Sequence, residues 1–318
     1  MAERSDAVQM AVAGAQSLLR SGLPYLALAV MLVVIVSVQP NILSYFGFNL
    51  MLKLSIPLIL AAYAQMLVIG LGDIDLSIGS FVGLVTCVVA IFFADRLWLG
   101  LLILAAVVAA YVAMGVIIYL RRLSAIMVTL GASFIWFGVA LLILPNPGGL
   151  APGWLSGLAG LRSPLVPLPV WIAIVVASLG HFALMRSSFG VILRGAGGNP
   201  KAISRAGWSL LRARIVIYLS AGILAVLSGL ALTAITTSGD PNVAPTYTLV
   251  SIAAVILGGG TFVGGIMSPA GTVAGAMTLS LAGSMLSFLD VPPVWQIGVQ
   301  GCILVAVLAG RSLMPGEP

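Results

Sequence analysis

LWLGLLILAAVVAAYVAMGVIIYL, from Leu97 to Leu120, is an apolar run with no charged or amide side chain. As a helix it reaches about 36 Å at 1.5 Å per residue, enough to cross a bilayer core of roughly 30 Å. The run lacks the in-out alternation of an outer-membrane barrel strand, so the spanning element is a helix. Reading outward, similar runs fill the chain. With 61% hydrophobic and 7% charged residues, it falls far below the roughly 25% charged content of a soluble domain. The sequence therefore predicts an all-α, polytopic transmembrane bundle. Residues 1–318 form one transmembrane domain of about ten spans, at 23–39, 50–70, 77–94, 97–120, 124–144, 165–185, 215–236, 247–266, 270–289 and 294–310.

Charge orients these spans. With the N-terminus inside, the inner segments collect Arg4, Arg20, Arg121, Arg122, Arg186, Arg194, Lys201, Arg205, Arg212, Arg214 and Arg311, and the outer ones keep Lys53, Arg96 and Arg162. That asymmetry predicts both termini inside. A mixed-sign leader and the absence of a small-x-small cleavage pattern favour a retained first span over a signal peptide. The net charge of +6 follows from topology and is no nucleic-acid footprint, since the basic residues are split among several membrane-flanking segments. Cys87 and Cys302 lie far apart inside predicted spans and read as small apolar residues rather than a metal or redox pair.

The loop from Arg186 to Arg214 holds six of the fourteen basic residues and no acid. Its centre, GGNPKAISRAG (Gly197–Gly207), encodes one short helix. Asn199 is the N-cap, Pro200 takes the first helical position, and Gly207 supplies the left-handed stop. A helix over Pro200–Ala206 is about 10 Å long and too short to persist alone in water, so it needs a surface to lie against. The outer arginines of the loop, Arg186, Arg212 and Arg214, are accounted for by topology.

Two glycine clusters interrupt the apolar runs, GLGDIDLSIGS (Gly70–Ser80) and LGGGTFVGGIMSPAGT (Leu257–Thr272). Paired interruptions in two halves of a transporter point to broken helices near a translocation path and to an inverted repeat. Candidate path or gate residues are Asp73, Asp75, Ser77, Gly258, Gly259, Gly264 and Gly265. Asp73 and Asp75, at or just inside a membrane boundary, demand partners or water. They either line or gate the path, or they accept bonds from backbone N–H groups freed by the break and cap the next helix at Asp75 or Ser77. His181, with no acid near it in sequence, reads as an interfacial histidine rather than a proton carrier, and Asp240 and Asp290 as solvated turn residues beside prolines.

Enzyme chemistries find no support. The chain has no G-x-x-x-x-G-K-[S/T] phosphate loop and no G-x-S-x-G elbow, and one histidine cannot form H-E-x-x-H. No cofactor is expected on this chain.

Three segments together resemble the permease subunits of ribose-type ABC importers, a family that also serves xylose, arabinose and related small polyols. GDIDLSIGS (Gly72–Ser80) resembles that family's GGIDLSVGS. GAGGNPKAISRAGW (Gly195–Trp208) is similar to its GGN-x-x-A-A-R-x-x-G loop, and AAVILGGGTFVGGIMSPAGTVAGA (Ala253–Ala276) to AVVLGGTSLAGG…GT-x-x-GA. The order and distances also match, and the likeness covers nearly the whole chain. Departures are Asp73 for the second glycine of GGIDLS, Gly260 for the first Thr of LGGTS, and Met267 with Pro269 where glycine and a basic residue are frequent.

The resemblance implies that the central loop is a coupling helix seated in a separate cytoplasmic ATPase, which carries the ATP and Mg. Gly198, Asn199, Pro200, Lys201, Ala202, Arg205 and Gly207 are its coupling residues. It further implies alternating access in the bacterial inner membrane, a second permease (identical or paralogous), and a periplasmic sugar-binding protein. An ion-coupled secondary transporter using Asp73 and Asp75 is the alternative.

Overall fold

A computed structural model of the protein describes residues 22–292 together with 295, 296, 298, 299, 301, 302 and 305. Most of the expected span at 294–310 lies outside the described residues, as do Arg4, Arg20 and Arg311. Among the described residues the chain is helical and has no strand; a single bridge pairs Gly148 with Gly239.

The helices are α1 (Gly22–Val38), α2 (Tyr45–Lys53), α3 (Ser55–Gly70), α4 (Ile78–Phe92), α5 (Leu97–Arg121), α6 (Ala125–Ile143), α7 (Gly153–Gly160), α8 (Leu168–His181), α9 (Ser188–Gly198), α10 (Pro200–Arg205), α11 (Leu210–Thr236), α12 (Tyr247–Leu257) and α13 (Pro269–Phe288). A π-helical turn, Phe182–Arg186, extends α8.

Among the described residues, six segments are long and apolar enough to cross a membrane: Tyr45–Gly70, α5, α6, Leu168–Arg186, α11 and α13. The expected ten also counted three shorter apolar helices and the 294–310 segment, most of which lies outside the described residues. The three shorter helices are α1, α4 and α12. The reason is physical for two of them. Glycine breaks cut α4 to 15 residues and α12 to 11, about 22 Å and 16 Å of helix, so neither crosses a 30 Å core unaided.

The most enclosed helix is α3, with 14 of its 16 residues buried. It is apolar on every side, as a helix at the centre of a bundle must be. One core on its flank joins α3 to α4, α5, α6 and α11, where Phe81 packs edge-on against Tyr111 at 5.2 Å and Trp136 at 5.6 Å. A second core sets Ile59 and Met66 of α3 against Ile217, Ala254 and Ala276. Small residues permit these close crossings. Gly115 of α5 faces the Tyr218 ring of α11, and a Cβ at Gly115 would overlap that ring. By contrast α5, α6 and α8 turn large apolar side chains such as Leu102, Phe134 and Val175 outward, the face a lipid-bathed helix presents. Cys87 is buried as expected, whereas Cys302 is exposed.

Candidate functional site

The central loop folds as its sequence predicts. Asn199 Oδ1 accepts a bond from the Ala202 N–H at 3.0 Å, Pro200 opens α10, and Gly207 stops the chain at φ +84°. No residue of α10 is buried: Lys201, Ala202, Ser204 and Arg205 are exposed, and so is the neighbouring Trp208. The Ile203 side chain of α10 lies against Gly195 of α9.

Three glycine segments, far apart in sequence, meet where α9 ends. The Gly265 N–H donates to the Gly70 carbonyl at 2.8 Å, joining the second break to the first. Gly197 sits on that same carbonyl so closely that a Cβ would overlap the oxygen. A Cβ at Gly264 would meet the Gly72 nitrogen at 3.0 Å and the Gly197 carbonyl at 3.1 Å. Gly72, Gly264 and Gly265 also have positive φ (82°, 82° and 75°), which glycine adopts without steric cost. Met267 fills the space beside Gly70 and is itself buried. Thus the loop that carries α10 is in backbone contact with both helix breaks.

The first break runs inward from this junction, and its two carboxylates receive different partners. Asp73 accepts from Arg214 of α11, with Nη1 to Oδ2 at 2.6 Å and Nη2 to Oδ1 at 3.4 Å, and from the Tyr218 hydroxyl at 3.0 Å. The Arg214 guanidinium also stands over the rings of Tyr119 and Tyr218, 5.7 and 5.9 Å from their centroids. Asp75 is fully buried. Its Oδ1 accepts the Ser77 N–H and hydroxyl, each at 2.7 Å, and its Oδ2 accepts the Tyr111 hydroxyl. With its amide turned to satisfy both atoms, Gln65 donates to the Asp75 carbonyl at 3.1 Å and accepts its N–H at 3.3 Å.

Tyr111 lies ten residues before the end of α5, about 15 Å along the helix. Asp75 is therefore deep in the bundle rather than at its rim, where a carboxylate persists only when its lone pairs are satisfied. Neighbouring helices hold the rest of the break. Thr129 of α6 accepts the Leu76 N–H at 3.0 Å and donates to the Ile74 carbonyl at 3.2 Å, while Thr248 of α12 accepts the Gly79 N–H at 3.1 Å. Ser77 stands at the N-cap of α4, yet its side chain makes no capping bond; Asp75 takes the Ser77 N–H instead.

The sequence-selected residues do not all converge. Gly198, Gly264 and Gly265 share the junction with the start of the first break, while Asp75 and Ser77 face the interior between α4 and α5. Gly258 packs on Gly271 at the start of α13, and Gly259 has φ +98° beside Ser268. A cavity of about 190 Å³ lined by Lys53, Leu155, Pro169 and Ala234 contains none of them. Arg214, assigned to membrane topology by sequence, has a specific partner as well. Tyr111 and Tyr218 were not singled out, since aromatic residues in apolar runs read as core.

A multi-pass helical bundle of this kind, broken by paired glycine segments and with an exposed capped loop, fits a membrane permease subunit, the class to which its relatives belong. The chain belongs to the family described as branched-chain amino acid transport system / permease component, which matches residues 47–308. The ribose import permease protein RbsC of Escherichia coli is 31% identical over 298 residues, covering 90% of this chain and 92% of that one. The L-arabinose transport system permease protein AraH of Escherichia coli is 29% identical over 248 residues, 74% of each chain. The xylose transport system permease protein XylH of Haemophilus influenzae is 35% identical over 140 residues, 44% of this chain and 37% of that protein. No solved structure matches the chain. These relatives place the protein among ABC importer permeases of the inner membrane, which work in general with an ATPase and a binding protein.

Proposed function

We propose that this chain forms the translocation path of an ATP-driven importer for a monosaccharide or related polyol, and that α10 is the element seated in a separate cytoplasmic ATPase. The observation that carries this reading is α10 itself. A six-residue helix capped at both ends, exposed on nearly every side and tied to both helix breaks through Gly197 and Gly198, is built to receive a force from a partner. Its charge suits an acidic or carbonyl-rich cleft. Lys201 and Arg205 stand four apart on α10, a like-charge spacing that costs a few tenths of a kcal/mol unless neutralised.

In this arrangement α10 and both termini are cytoplasmic, in line with the basic residues gathered at that end. The chain passes the membrane about ten times, counting α1, α4, α12 and the 294–310 segment. Two permeases, identical or paralogous, form the path. A periplasmic protein delivers the sugar, and ATP with Mg binds only on the ATPase. A neutral polyhydroxyl substrate suits a bundle whose interior carboxylates are already engaged by protein donors.

That engagement also disfavours an ion-coupled carrier, which needs Asp73 or Asp75 open to a cation. Co-purification with the ATPase subunit tests the reading. Arg205→Glu is expected to abolish ATPase association while the permease still inserts in the membrane, and unchanged association rejects α10 as the docking element.

A further inference from the structure

Asp73 is the acid of the only ion pair among the described residues. Its partner, Arg214, lies in the second turn of α11, which is separated from α10 by four residues. Both side chains are nearly enclosed, 12% and 14% exposed for Asp73 and Arg214. Screening by water and salt is therefore weak, and the near-bidentate geometry fixes direction as well as distance. The contact does not stop at the pair. Tyr218, which also donates to Asp73, lies 5.7 Å from Tyr111, the residue that donates to Asp75 ahead of α4. Arg214, Asp73, Tyr218, Tyr111 and Asp75 make one continuous line from the segment behind α10 to the buried start of α4.

We propose that Asp73 and Arg214 are positioning residues for transport, forming a latch that makes the first helix break follow movements of α10. The junction glycines hold α10's loop by backbone packing alone, since none of them carries a side chain. The ion pair adds a directional tie to that packing, one that parts only by separating two enclosed charges. Displacement of α10 along the membrane normal therefore either carries the 71–77 segment with it or breaks the pair, and the pair sets how much of the ATPase stroke reaches the path. This rests on α10 being the ATPase docking element.

The test uses the complete importer, permease with ATPase and binding protein, in liposomes, reading sugar moved per ATP hydrolysed for Asp73→Asn, Arg214→Gln and the double variant. Each single change is expected to lower that ratio about tenfold, within the span usual for coupling between two sites. The double variant should be no worse than either single one, because both remove one shared interaction. ATPase association should stay at the wild-type level in all three. An unchanged ratio in the single variants, or losses that multiply in the double, overturns the latch. Should the single variants fail to accumulate, Tyr218→Phe decides, since it removes only the hydroxyl on Asp73; a ratio about threefold lower is expected, and an unchanged one overturns the proposal. Failure of the wild-type ATPase to associate at all would instead refute the docking role of α10.

Discussion

The Gly265 N–H and the Gly70 carbonyl oxygen lie 2.8 Å apart, a single backbone bond between the two helix breaks of the permease. Gly197 covers the same carbonyl from the third segment. Both close approaches involve glycines, which makes the junction sensitive to the addition of one methyl group.

Gly197→Ala is expected to destabilise the protein by about 1–3 kcal/mol, the usual cost of overpacking, because the new Cβ overlaps the Gly70 oxygen and has nowhere to turn. Gly198→Ala is the control. Its Cβ meets the nearest atom, Gly265 Cα, at 3.4 Å, an ordinary contact. Thermal unfolding of the two variants in detergent should separate them, with Gly197→Ala lower in Tm.

Asn199→Ala removes the side-chain cap of α10. The loss is expected at about 1 kcal/mol of local helix stability, and with so short a helix it should unravel the first turn. ATPase association should weaken while Tm of the bundle stays unchanged, since no residue of α10 is buried. Binding measured against Asn199→Asp, which retains a capping oxygen, distinguishes lost capping from lost contact.

Tyr111→Phe leaves Asp75 Oδ2 without the hydroxyl that satisfies it, inside a fully buried site. Stranding one charged acceptor costs roughly 1–3 kcal/mol or more. A lowered Tm is the expected result. Thr129→Val, which strips one donor and one acceptor from the break backbone at Leu76 and Ile74, should act in the same direction.

Much of this was legible in the sequence, and what was not has identifiable causes. The cap, start and stop of α10 are local signals, and Asn199, Pro200 and Gly207 do what those residue types do anywhere. The long apolar runs likewise declared α5, α6, α11 and α13. The helix boundaries at the breaks did not follow, because hydropathy averages over a glycine break: Gly258 ends α12 while the apolar run continues through Phe262 and Val263. Partnerships across the bundle were also hidden. An acid at position 73 requires a partner, but a sequence alone does not say that it is Arg214, which membrane topology had already explained. Tyr111 and Tyr218 look like any apolar-run aromatics until their hydroxyls are seen to face carboxylates.

The central claim is that ATP, acting through α10, drives sugar across this permease. Liposomes carrying the permease and the ATPase, supplied with the importer's own periplasmic binding protein and the labelled monosaccharide that protein binds, test it most directly. The account predicts uptake that requires ATP and the ATPase, that ignores Na⁺ and H⁺ gradients, and that disappears with Arg205→Glu. Uptake driven by an ion gradient without ATP or the ATPase would contradict it.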